Sequence, residues 1–222
     1  LALSRELVEY QQRKPTMLKI LGRNNSSNVQ KVLWALGELD LEYTRDDIGG
    51  PFGGNREADY LAMNPNGLVP TLVDGDTVLW ESNVIVRYLA RKYAPNSLLP
   101  DSLTDLTQAE QWMDWQQTVV APAHFPVFWG LIRTAPEDRD LDAIKSGRDR
   151  FEQAMTILDH HLSDSAFVGG ESLSIADIPV GIMVYRWFTL DIERMELPSL
   201  HRWYQRLTDR PAYKNTVMIG LT

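Results

Sequence analysis

No cysteine occurs anywhere in the 222 residues. A disulfide framework, a thiolate metal site and a protein-borne redox thiol are thereby excluded, so any sulfur chemistry has to be brought by a ligand. Long apolar runs are missing too. The longest, Ile178 to Tyr185, falls far short of the roughly 20 residues that cross a bilayer, and the N-terminal stretch is too polar for a signal peptide. Neither membrane insertion nor secretion is expected, and the compartment read from this is cytoplasmic. Basic charge is scarce: 22 Lys and Arg stand against 30 Asp and Glu, and the formal net charge of −8 opposes binding to phosphate backbones. No basic cluster in the sequence offsets it, which argues against nucleic acid. The four histidines, His124, His160, His161 and His201, lack metal-ligand spacing, so no metal is expected. What the chain does have is apolar material, 44% of its residues, enough for one large or two modest domains with a proper core.

Residues 1–16 precede the strand-like Met17 to Leu21 and read as an upstream extension or an expression remnant, outside the fold. The polar loop GRNNSSN follows, and then Val29, Val32, Leu33 and Leu36 fall at i, i+3, i+4 and i+7, one face of an amphipathic helix. A second strand fits Glu42 to Ile48. The glycine-rich GGPFGG is a turn or mobile loop, and a short helix is expected over Asn55 to Met63. Two strands of a hairpin, Thr71 to Asp74 and Thr77 to Trp80, and a helix from Ser82 to Tyr93 complete a βαβαββα order. Ala94 to Thr104, with two prolines and several turn formers, marks a boundary. The expected division is a mixed α/β domain over 17–94, a linker over 95–104 and an all-helical domain over 105–222. In the latter, Pro122 and Pro126 should interrupt or kink a helix between Asp105 and Arg133. Ile175 to Phe188 is apolar nearly all round and should be the most buried helix. Its start, Ser174-Ile-Ala-Asp177, reads as a capping box in which the serine hydroxyl accepts from the Asp177 N–H and the carboxylate accepts from the Ser174 N–H.

The densest signal is NPNGLVPTLVDGDTVLWES, Asn64 to Ser82. A proline directly before a strand donates no N–H, so Val69 keeps its own backbone groups free at a sheet edge, and a Val69-Pro70 bond in the cis form would be a held geometry. Such an edge can pair with the backbone of an extended peptide. Ser82 and the free N–H groups of the helix it opens can receive that peptide's carboxylate. A short anionic peptide is the ligand these residues fit.

Taken together, NPNGLVP, WES, the proline-bearing linker and the SIAD capping box, in this order and spacing, resemble the cytosolic glutathione transferase family from Met17 to about the end of the chain. The resemblance implies a thioredoxin-like N-terminal domain and an all-α C-terminal domain. It also implies glutathione as co-substrate, with the cysteinyl backbone on Val69 beside cis-Pro70 and the γ-glutamyl group on Glu81 and Ser82. In serine-type members a hydroxyl between the first strand and first helix donates to the sulfur, six residues ahead of a buried apolar position; in NSSNVQKV this selects Ser26, with Val32 as that position and Ser27 as the competitor. Asn24, Asn25 and Asn28 lie in the same loop. Outside the family pattern, Ser26 reads simply as a helix cap. The glycyl carboxylate is expected near the second-strand loop, where Asn55 is the candidate and Arg56 an alternative. An apolar electrophile would lie on Trp115, Phe125, Phe128 and Trp129, against the alternative that these, like Trp112, are core.

Three functions remain in view. The leading one is transfer of the glutathione thiol to an electrophilic carbon, a detoxification chemistry. The others are glutathione-dependent disulfide or peroxide reduction, and a non-catalytic binding module on the same fold. Family members are typically homodimers, and Phe52 is a candidate for the subunit contact.

Overall fold

The computed structural model describes residues 17–94 and 97–222; the expected N-terminal extension therefore lies outside the described residues. Four strands form one mixed sheet: β1 (Leu18–Leu21), β2 (Tyr43–Asp46), β3 (Thr71–Asp74) and β4 (Thr77–Trp80), in the order β2-β1-β3-β4. β1 runs parallel to β2 and antiparallel to β3, with Ile20 opposite Leu72. The hairpin from β3 to β4 closes over two residues, Gly75 taking a positive φ of 59° that lets the turn follow the twist of the strands. Helices α1 (Ser27–Glu38), α2 (Ala58–Met63) and α3 (Ser82–Tyr93) complete the βαβαββα order. The short helix starts at Ala58, three residues later than the spacing suggests. Asn55 is drawn instead into a loop, where its amide donates to the Gly67 carbonyl at 2.8 Å.

The α1 helix is buried on two faces, which is why it is apolar beyond a single stripe. Val29, Val32, Leu33 and Leu36 join Ile20, Leu72, Ile85 and Leu89 in a core against the sheet. Trp34 and Ala35, with Val86 and Ala90 of α3, belong to a second and larger core shared with the helical half. Trp34 meets Tyr213 edge-on at 4.7 Å, and a Cβ on Gly181 would come within 2.7 Å of its ring. The two halves of the chain are thus joined by packed side chains across α1 and α3.

The helical half comprises α4 (Leu103–Trp115), α5 (Ala121–Phe128), α6 (Leu141–His161), α7 (Asp177–Thr189), α8 (Pro198–Thr208) and α9 (Pro211–Thr216). Of the two outcomes expected at Pro122 and Pro126, interruption or a kink, interruption does not occur. Backbone angles stay helical from α4 through α5, with π-helical segments at Gln116–Val120 and Trp129–Arg133 before and after the prolines. A π turn bonds to the fifth residue back and so re-phases the ladder, which accommodates residues that have no N–H to give. Buried residues run without interruption from Asp177 to Trp187, as expected of the central helix.

At its start the capping box forms only in part. The Asp177 carboxylate accepts from the Ser174 N–H at 2.8 Å and from the Ser174 hydroxyl at 3.0 Å, while the serine oxygen accepts from Ala176 N–H rather than from Asp177. The shorter acid draws the hydroxyl onto itself. The same carboxylate accepts from Val168 N–H and Trp203 Nε1, so it ties two loops and α8 to the start of α7.

Candidate active site

A cavity of about 290 Å³ opens between the two halves. Its floor comes from the loop after β1 and the first turn of α1, which contribute Arg23, Asn25, Ser26, Ser27, Asn28 and Lys31. Gly22 sets that loop close to Val69: a Cβ there would lie 2.6 Å from Val29 and 3.2 Å from Val69 Cβ. Ser26 is the residue preceding α1, in extended conformation, yet its side chain makes no capping bond. Its hydroxyl is free to donate into the cavity, at the end of a helix whose first N–H groups also lack partners.

Glu81 and Ser82 enter from the start of α3. Glu81 has a φ of 69°, a left-handed conformation that a side chain with a Cβ holds at a cost of order 1–3 kcal/mol. Its carboxylate accepts from Gln117 Nε2 of the π segment at 3.4 Å. The Ser82 hydroxyl, on a buried side chain, donates to Asn28 Oδ1 at 3.3 Å, linking the helix start to the serine loop. One step away, the Val69-Pro70 peptide is cis, and the backbone groups of Val69 carry no hydrogen bond among the described residues.

Opposite the serines stand Phe125, Phe128 and Trp129. Phe125 and Trp129 stack at 5.5 Å with more than half of each exposed. Trp115 does not line the cavity; it lies partly buried, edge-on to Trp112 at 4.9 Å, against the helical core. Trp112 in turn borders a separate hollow of about 560 Å³ with His161. Among the described residues no group of three or more His, Asp or Glu is placed to hold a metal ion.

Two family models match the chain, the glutathione S-transferase N-terminal domain over residues 25–92 and the C-terminal domain over residues 125–206. This chain belongs to the glutathione S-transferase family. It is 44% identical to glutathione S-transferase GstB of Escherichia coli over 93% of its own length and all of the relative's. It is 29% identical to glutathione S-transferase 3 of Zea mays over 90% of its length and 93% of that protein's. In three dimensions it matches a theta-class glutathione S-transferase from the citrus canker pathogen Xanthomonas axonopodis pv. citri, solved with glutathione bound, with a TM-score of 0.90 and 44% identity. That match covers 94% of this chain and all of the other.

As a glutathione transferase, the chain gathers Ser26, Ser27, Glu81, Ser82, Phe125, Phe128 and Trp129 around one cavity, with Val69 and Pro70 beside the loop that forms its floor. Asn55 acts on the turn ahead of Val69. Sequence reasoning missed the cations. Lys31 and Arg186 line the same cavity at 2% and 5% exposure. Burial pulls the Lys31 ammonium down from its ordinary 10.5 to about 7, Glu81 opposing and Arg186 reinforcing the fall. Arg186 is likewise lowered to about 10 by burial and by Arg133 and Arg23. His124 stacks on Phe128 at 5.4 Å and is lowered to about 3 by burial and Arg186, so it is neutral. Two signals pointed there: Lys31 follows Ser27 by four residues, one helical turn, and Arg186 interrupts an otherwise apolar helix.

Proposed function

We infer that this glutathione transferase binds reduced glutathione along Val69 and the start of α3, activates its thiol at the serine loop, and transfers it to an electrophilic carbon. The observation that carries this is the unpartnered Ser26 hydroxyl facing the cavity that Glu81 and Ser82 also line. In this reading Glu81 holds the α-ammonium of the γ-glutamyl end, while Ser82 and the first N–H groups of α3 hold its carboxylate. The free backbone of Val69 pairs with the cysteinyl residue.

A free thiol with a pKa near 8.5 is mostly protonated at neutral pH. Lowering it by about two units takes about 2.7 kcal/mol, which one hydroxyl donor and the α1 N-terminus together supply. Ser26 donates to sulfur and does not itself attack, and Ser27 is the alternative donor. The thiol proton leaves to solvent, the carbon–sulfur bond forms, and the electrophile's leaving group departs or its double bond takes up a proton. The aromatic wall of Phe125, Phe128 and Trp129 seats the apolar part of the acceptor. Residues 17–94 serve as the glutathione-binding domain, 105–222 as the acceptor domain, in a cytoplasmic homodimer.

Ultraviolet difference spectra of bound glutathione against pH test this reading. Wild type should show a thiolate forming about two units below the free thiol. If Ser26→Ala, Ser27→Ala and wild type titrate bound glutathione alike, the hydroxyl mechanism is wrong. Failure to bind glutathione at millimolar concentration overturns the whole assignment.

A further inference from the structure

The chain carries a net charge of −8, yet its cavity is lined by four cationic side chains, Arg23, Lys31, Arg133 and Arg186, and by one carboxylate, Glu81. Glu81 forms no ion pair with any of the four among the described residues. Two of the cations already have partners: Arg23 donates to Asn25 Oδ1 and Arg133 to the Thr222 carbonyl. Among the described residues Lys31 and Arg186 have none within hydrogen-bond or ion-pair distance, although both are more than nine-tenths buried, and Arg186 Nε is buried without a partner. The Arg186 guanidinium lies over the Phe128 ring at 4.4 Å, which leaves its donor edges directed past the ring. Of the five buried polar side-chain atoms without a partner among the described residues, four belong to cavity residues: Arg23 Nε, Gln116 Oε1, His124 Nε2 and Arg186 Nε.

Burying two cations with no counter-ion in contact is costly, and like charges converging on one space raise that cost. Such an arrangement is stable in use when an anion completes it. Glutathione does not fill this role in the orientation described above, because its γ-glutamyl carboxylate is directed to Ser82 and α3 and its glycyl carboxylate to the loop after β2, whose Asn55 and Arg56 are not among the residues that line this cavity. Arg186 comes from α7, on the far side of the cavity with Phe128, where the acceptor sits.

We propose that the acceptor of this transferase is an anionic electrophile, with a carboxylate or similar oxyanion held between Arg186 and Lys31 and an apolar or aromatic part on Phe125, Phe128 and Trp129. The inference rests on the reading of the cavity as the conjugation site. It replaces the purely apolar acceptor that the aromatic residues alone suggest. The step itself is unchanged. The thiolate sulfur bonds to the electrophilic carbon, and the leaving group departs with its electron pair while the oxyanion stays on its cations.

A matched pair of acceptors tests this: 4-chloro-3-nitrobenzoate and its neutral amide, which share a ring and a chloride leaving group. Each kcat/KM is divided by the uncatalysed rate with glutathione, so that ring electronics cancel. Wild type should favour the anion by about tenfold or more. Arg186→Met and Lys31→Met should each lower that preference by about tenfold, and Arg186→Lys should restore part of it. Circular dichroism melting confirms that each variant is folded. Calorimetry with the unreactive pair 3-nitrobenzoate and 3-nitrobenzamide, with and without saturating S-methylglutathione, reads the anion site without catalysis. Anion-selective binding that persists with S-methylglutathione bound supports the proposal even where neither chloride reacts, in which case only the conjugation reading falls. Three results overturn it: equal binding of the two probes, displacement of the anion by S-methylglutathione, or variants that shift the bound thiol's pKa and leave the anion preference intact.

Discussion

Replacing Lys31 with methionine should make the free protein more stable, even though it weakens the site. The side chain is 2% exposed and has no counter-ion in contact among the described residues, Glu81 acting on it only at longer range. Moving its proton equilibrium from 10.5 to about 7 corresponds to about 5 kcal/mol at neutral pH, at about 1.4 kcal/mol per unit. Relaxation and water entry reduce this, and a gain on the order of 2 kcal/mol for Lys31→Met is the expectation. The sign with pH follows from linkage. Between about pH 7 and 10 the unfolded chain holds a proton on Lys31 that the folded chain has lost, so wild-type stability rises with pH across that interval. Below pH 7 the full cost is present. Urea unfolding of glutathione-free protein at pH 6, 7, 8 and 9 reads both effects, and staying at or below pH 9 keeps the buried tyrosines out of the titration. The variant should have the higher midpoint at pH 6 and 7, with the difference shrinking by pH 9. A variant less stable than wild type at pH 7, or a wild type whose stability falls from pH 7 to 9 while the variant's does not, refutes the reasoning.

Losing the sulfur donor should cost 10- to 100-fold in kcat/KM, the worth of about 1.5–3 kcal/mol for a hydrogen bond to a charged group; comparing Ser26→Ala with Ser27→Ala in the same conjugation assay identifies which hydroxyl it is. Asp177→Ala should lose about 3–5 kcal/mol in urea unfolding, because it strands the donors of Val168, Ser174 and Trp203 in a buried site; a loss under 1 kcal/mol contradicts that accounting. If the chain assembles as a homodimer through its exposed Phe52, light scattering should give twice the mass of the 25.3 kDa chain, and Phe52→Ser should shift it toward monomer. A wild-type monomer at micromolar concentration would end that part of the reading.

Local chemistry was legible wherever neighbours in the chain determine it. The bounds of β3 and β4 follow from alternation and a two-residue glycine turn, and those of α3 from Glu81-Ser82 at its start. The Val69-Pro70 step and the serine loop stood out because backbone donors, turn residues and hydroxyls act within a few residues of themselves. Asp177 was visible as a helix start, but not its bond to Trp203, which is 26 residues away. Proline in α5 left interruption and kinking both open in the sequence; the helix continues because the π segments beside it absorb the local penalty in the packed structure.

The order βαβαββα and the absence of protein thiols were determined by sequence alone, since each depends on short-range periodicity or on residues that are not there. The character of the cavity was decided only in three dimensions. Lys31 in α1 and Arg186 in α7 lie 155 positions apart in the sequence, and nothing local joins them. Packing α1 between the sheet and the helical half removes water from both and turns them toward one space. Charge is long-ranged, and its meaning depends on the neighbours that burial supplies.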